Sequence, residues 1–139
     1  MIYIGIDPGV STGYAVYDSH LRKLLEMQTW KIHEAMDAVR RHVTGIAGYI
    51  PIKVRFEDAR QRTWFGQAGR EQLQGAGSIK RDCLIWEDFL DDLRVDFLAV
   101  KPQKGMTKWS PTQLTRLTGW TGRTSEHARD AALLVWGMT

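Results

Sequence analysis

A chain of 139 residues with 43% hydrophobic side chains has material for one buried core and not for two, so a single domain over residues 1–139 is expected. One cysteine, Cys83, excludes an intrachain disulfide and a Cys-rich zinc site, and the lack of a long apolar run or of a basic and then apolar leader argues against a membrane span; a cytoplasmic protein is expected. A net charge of +3 is too small to argue for a polyanionic partner, but the charge is unevenly spread. No acid falls between Phe97 and Ser125, where Lys101, Lys104, Lys108, Arg116 and Arg123 occur, and "ARQRTWFGQAGR" is also free of acids, whereas "WEDFLDDLRVD" is rich in them.

In chain order, alternation in "MIYIGID" and "TGYAVYD", followed by "KLLEMQTW", predicts three strands. The turns at Pro8 to Ser11 and at Ser19 to Arg22 are short, which makes these strands antiparallel neighbours. Met36, Val39, Val43, Ile46 and Ile50 recur at helical spacing and predict an amphipathic helix that weakens at Gly45 and Gly48 and stops at Pro51. "IKVRFED" reads as a strand ending in two acids. Beyond the Arg-rich loop, Ile79, Cys83, Trp86, Leu90 and Leu93 form a helical stripe widened by Leu84, Ile85 and Phe89, so one face can cover a sheet while the other meets a partner subunit. "DFLAVKP" is a short strand ended by Pro102. A helix then starts at Ser110 and Pro111, a favoured N-cap and first-position pair. The last helix is capped by Thr124 or Ser125 and runs through "EHARDAALLVWGM". No repeat, low-complexity segment or linker interrupts the pattern. With helical crossovers the later strands run parallel to the first, so the expected fold is α/β: a five-stranded mixed sheet, three antiparallel meander strands plus two parallel strands, flanked by helices.

The acids gather at one end of this arrangement. A right-handed crossover lays "VRFED" beside "YIGID" and parallel to it. Asp7 and Glu57 then end adjacent strands on the side where open α/β sheets bind ligands. Two such carboxylates repel unless a proton or a cation intervenes, and a hard divalent ion is the simplest partner. Alternation sends Glu57 and Asp58 to opposite faces, so one enters the site and the other is left to pair with a nearby Arg. His127 and Asp130 share a helix face. If that helix packs over the strand ends, which Ala128, Ala131 and Ala132 permit, then Asp7, Glu57, His127 and Asp130 converge. Four such groups can hold two cations about 4 Å apart, one activating water and one stabilising the leaving oxygen of a phosphodiester. Ordinary roles compete: a turn cap for Asp7, a solvated position for His127, a surface acid for Asp130. Their order along the chain favours the shared site.

On "IGIDPGVSTGYAV", the strand acid of "VRFED" and the late "EHARDAALL", the sequence resembles the RuvC-type Holliday junction resolvases of the ribonuclease H superfamily, over nearly the whole chain. The resemblance implies a ribonuclease H-like fold and a homodimeric endonuclease that uses Mg²⁺ or Mn²⁺, two ions per active site, to nick two strands of a four-way DNA junction. Carried over by position, it makes Asp7 the first-strand ligand, selects Glu57 over Asp58 on the fourth strand, and gives His127 and Asp130 the two helix positions. Asp7 would bridge both ions, with Glu57 on one side and His127 and Asp130 on the other. An imidazole at this position shifts the expected preference toward Mn²⁺; His127 is alternatively the group that protonates the leaving oxygen or screens the phosphate.

Two departures accompany the resemblance. The chain is shorter than typical bacterial members, and the loop "ARQRTWFGQAGREQ" is unusually rich in Arg and aromatics. Both suit a compact, phage-type relative that acts on branched DNA more broadly. Within that loop Arg60, Arg62 and Arg70 are candidate DNA contacts, and Trp64 and Phe65 either stack on unpaired bases and wedge the junction or pack beneath the loop. Lys104 and Lys108, close to the acids, are candidate phosphate contacts. Three further readings remain open. A junction-binding protein without hydrolysis is disfavoured by the intact acids. An actin-like nucleotide domain needs two lobes where this chain has room for one. A ribonuclease H-like nuclease for RNA in hybrids differs in its groove and not in its metal site.

Overall fold

Residues 1–46, 49–62, 70–102 and 108–139 are described in a computed structural model of the chain, apart from the side chains of 46 and 70–76. The expected meander forms as β1 (Ile2–Asp7), β2 (Thr12–Asp18) and β3 (Lys23–Trp30). The parallel pair is β4 (Ile52–Glu57) and β5 (Asp96–Val100). The sheet runs in the order β3-β2-β1-β4-β5, with β1 antiparallel to β2 and parallel to β4. This is the mixed five-stranded sheet that short turns and helical crossovers require.

Each strand has a different layer on either side. Ile4, Ile6, Tyr14, Val16, Val54 and Phe56 face α1 (Ile32–Ile46) and α2 (Arg70–Leu93), and pack with Val39, Cys83, Trp86 and Leu90. Tyr3, Ala15, Tyr17, Leu24 and Met27 face the other way. They pack with Leu114 of α3 (Pro111–Thr118), with Ala128, Ala131 and Ala132 of α4 (Glu126–Leu133), and with Val135 beyond it. The alternation of period two puts Asp7 and Glu57 on this second face, under α4.

Three element ends differ from expectation. The first helix begins at Ile32, a turn before its apolar repeat, and ends at Ile46, short of Pro51. The last helix stops at Leu133 and does not continue to Met138. Its final bonds tighten to the i to i+3 kind, Leu134 N–H to the Ala131 carbonyl and Val135 N–H to that of Ala132, and Gly137 then takes a left-handed φ of 77°. The Tyr3 hydroxyl donates to the Thr139 carbonyl at 2.8 Å, tying this turn down. Ser125, not Thr124, caps α4, its hydroxyl accepting the Ala128 N–H. No helix among the described residues is long and apolar enough to cross a membrane.

Candidate active site

Asp7 is the last residue of β1 and Glu57 the last of β4; the parallel register pairs Ile6 with Phe56, so the two acids end neighbouring strands side by side. Burial pushes the carboxyl of Asp7 above its ordinary range, and repulsion from Asp130 adds to this while the His127 hydrogen bond opposes it. Glu57 is also raised, first by burial and then by the charges of Asp7 and Asp130; Arg62 and Lys108 pull the other way. Three carboxylates therefore act on one another at the carboxyl ends of two strands.

The helix that brings Asp130 and His127 there lies directly on the sheet because two strand residues have no side chain. A Cβ on Gly5 would stand 2.1 Å from the Ala131 carbonyl oxygen, and one on Gly13 would stand 1.9 Å from that of His127. Only glycine permits this approach of helix backbone to strand backbone. With α4 so seated, His127 Nδ1 lies 3.0 Å from Asp7 Oδ2. The Asp7 side chain is 16% exposed and that of His127 is 50% exposed.

Asp130, on the same helix face, is 18% exposed, and its Oδ2 lies 3.3 Å from Lys108 Nζ. Lys108 also reaches Glu126 Oε1 at 2.6 Å. The hydrogen bond that Lys108 donates to Glu126 and the charge of Asp130 raise the ammonium pKa. Arg129, which sequence reasoning passed over, anchors this corner. Its Nε donates to the Trp109 carbonyl at 2.8 Å, and its Nη1 donates to the carbonyl and hydroxyl of Thr124 at 3.1 and 3.0 Å. It thereby holds the residue after Lys108 and the residue before the α4 cap. The one signal for it was its position, next to Asp130 but turned to another helix face.

Asp58 points away from the site. It is 4% exposed, its N–H donates to the Val100 carbonyl, and its carboxylate accepts from Arg60 and Gln61. Burial raises its pKa, but these hydrogen bonds outweigh burial and hold it below the ordinary value. Arg60 also binds Glu87 at 2.6 Å. Arg60, expected as a DNA contact, has its guanidinium taken up by two carboxylates, and it braces the chain just after Glu57. Arg62 is exposed and near enough to act on Glu57. Trp64, Phe65, the side chain of Arg70, and Lys104 lie outside the described residues.

Among the described residues, no group of three or more His, Cys, Asp and Glu stands close enough to hold a metal ion as placed. Asp7 and His127 touch; Glu57 and Asp130 are within electrostatic reach and not within a shared coordination distance. The donor chemistry nevertheless suits a hard or borderline divalent ion: carboxylate oxygens and one imidazole, with two of the acids raised by burial and mutual repulsion that a cation would relieve.

The sequence matches no family model. It matches no curated protein. Among solved structures it is similar to T. thermophilus RuvC in complex with a Holliday junction substrate, at 18% identity and a TM-score of 0.57, over 96% of this chain and 90% of that one. The likeness establishes a ribonuclease H-like α/β fold.

Proposed function

We propose that this protein is a divalent-metal-dependent endonuclease that resolves four-way DNA junctions, and other branched DNA, by phosphodiester hydrolysis. The observation that carries the reading is the approach of His127 and Asp130, on α4, to Asp7 and Glu57 at the carboxyl ends of β1 and β4. Similarity to a junction-bound RuvC supports the choice of substrate class.

Asp7, Glu57, Asp130 and His127 are the residues that would hold Mg²⁺ or Mn²⁺, two ions in the full site. When bound, the ions supply an activated water and charge stabilisation at the departing oxygen. The protein's own groups prepare the rest. The hydrogen bond from His127 Nδ1 fixes one oxygen of Asp7, and it leaves the second ring nitrogen for ligation or for proton delivery to the leaving oxygen. Lys108, two-thirds exposed and shared between Glu126 and Asp130, can exchange a carboxylate for a DNA phosphate without entering a new environment. Arg62 stands on the Glu57 side and contributes a second phosphate contact.

A homodimer would give the two sites that two nicks require. Leu84 and Ile85 are exposed on the outer side of α2, with Arg81 and Asp88 between them at helical angles. Opposite charges on one helix face can pair across a two-fold axis, each side chain meeting the other's counterpart.

The test is nicking of a labelled synthetic four-way junction beside a linear duplex and an RNA–DNA hybrid of equal length, in Mg²⁺ or Mn²⁺, by wild type and Asp7→Asn. Symmetric, metal-dependent cuts on the junction alone, absent in the variant, are the expected result. Tight junction binding without cutting in either metal would sink the nuclease reading, and cutting confined to the hybrid would replace the substrate.

A further inference from the structure

We propose that the groove between β3 and the segment entering α4 seats a second phosphate of the strand that is cut, with Arg123 as its charged contact. The inference rests on the nuclease reading above and extends it to a site away from the acids.

The register places this groove in line with Asp7. Asp7 pairs with Gly13, and Gly13 pairs with Thr29, so the three share one row on one face of the sheet. Because Gly13 has no side chain, the His127 carbonyl closes over the middle of the row. The row then ends at Thr29, whose hydroxyl meets that of Ser125. Two strand spacings separate Thr29 from Asp7, about 10 Å. A nucleic-acid strand carries one charge per ~3.4 Å of axis, so the groove lies within roughly three phosphates of the scissile bond.

The lining suits an anion. The groove has a volume of about 310 Å³, and its polar lining comes from Gln28, Thr29, Arg123, Thr124 and Ser125, with no carboxylate among them. Arg123 is exposed and forms no ion pair among the described residues. The hydroxyls leave donors to spare. Thr29 and Ser125 carry two O–H protons between them, and their mutual hydrogen bond uses one; Ser125 otherwise accepts from the Ala128 N–H. Thr124 Oγ1 accepts from Arg129 and donates its own proton to no group among the described residues. A guanidinium with two free hydroxyl donors beside an amide is the donor set that phosphate oxygens take.

Junction binding by the Asp7→Asn protein, measured across salt concentrations, tests the proposal without cleavage. Arg123→Gln in that background should weaken binding several-fold and reduce the slope of log affinity against log salt by about one; Arg123→Lys should restore the slope, as expected for a charge and not for a structural role. Thr29→Val should weaken binding and leave the slope alone. A single methylphosphonate stepped along the cut strand should abolish the Arg123→Gln effect at one position, within about three phosphates of the nick. An unchanged slope in Arg123→Gln, or an effect that maps to a different strand, overturns the groove even while wild type still cuts the junction. Failure of wild type to cut in either metal sinks the nuclease reading instead, and the salt slope still judges the groove.

Discussion

Two acids that follow one another at the end of β4 have opposite fates. Asp58 is buried beside Arg60, with its carboxyl held below its ordinary value by hydrogen bonds that outweigh burial. A lowered folded-state pKa means that the unfolded chain binds protons more readily, so this group's stabilisation is present above the ordinary carboxylate range and is lost as pH falls through the folded value. Asp58→Asn should cost about 2–3 kcal/mol at pH 7, less than a fully buried pair because Arg60 keeps some solvent access. Urea unfolding at pH 7 and pH 3 measures it, and the cost should shrink at the lower pH. Asp7 has the opposite sign. Its raised carboxyl makes the folded state the stronger proton binder, so stability falls as pH rises from the ordinary value through the folded one. Without divalent ions, Asp7→Asn should therefore raise the melting midpoint at pH 7 by about 2–4 °C, with little change at pH 3. Added Mn²⁺ should stabilise wild type and erase the variant's advantage. Alternation along one strand was enough to separate Glu57 from Asp58. That Asp58 pairs with a nearby Arg was legible; that a second carboxylate holds Arg60 was not, because Glu87 comes from a helix on the far side of the loop.

The position of α4 decides whether there is a site at all, and it is set by what β1 and β2 lack. Gly9, in the turn of the opening motif, has ordinary room, while Gly5 and Gly13 within the strands carry the helix. This was illegible for a physical reason: a close contact between two backbones leaves no mark on hydrophobic periodicity, and the helix that makes it lies at the other end of the chain. Sequence did reveal the small residues on the helix side, Ala128, Ala131 and Ala132, all buried. The alanines allow approach, and the glycines complete it. Gly13→Ala should force His127 away from Asp7, destabilise the fold by about 1–3 kcal/mol and weaken Mn²⁺ binding by more than tenfold. Calorimetric titration of Mn²⁺ against Gly13→Ala and against Gly9→Ala compares the two kinds of glycine. The turn variant should bind as wild type does.

At the scale of the molecule, the sheet order was legible because each link in it was local: alternation gave the strands, short turns fixed the meander, and the amphipathic helices forced parallel crossovers. How one copy would meet another is not written in that way. On α2 the residues at Cys83, Trp86 and Leu90 are fully buried, yet Ile79, which falls in the same stripe, is 45% exposed, and Leu84 on the outer side is 52% exposed. The helix thus presents apolar surface both on its outer side and in line with its buried stripe, uncovered by any described residue there, and a monomer gains nothing from either. If α2 meets its copy, a charge at its outer side would face a like charge across the two-fold axis. Leu84→Glu should then shift sedimentation from a dimer to a monomer with the fold intact, since Leu84 is not part of the core. The consequence for cutting follows from geometry. A monomer has one set of acids for a junction that needs two nicks, so the variant should release single nicks on a plasmid-borne junction while losing paired, coincident cuts. Dimers that persist in Leu84→Glu would place the partner surface elsewhere on the molecule and leave the outer face of α2 as solvent-exposed surface.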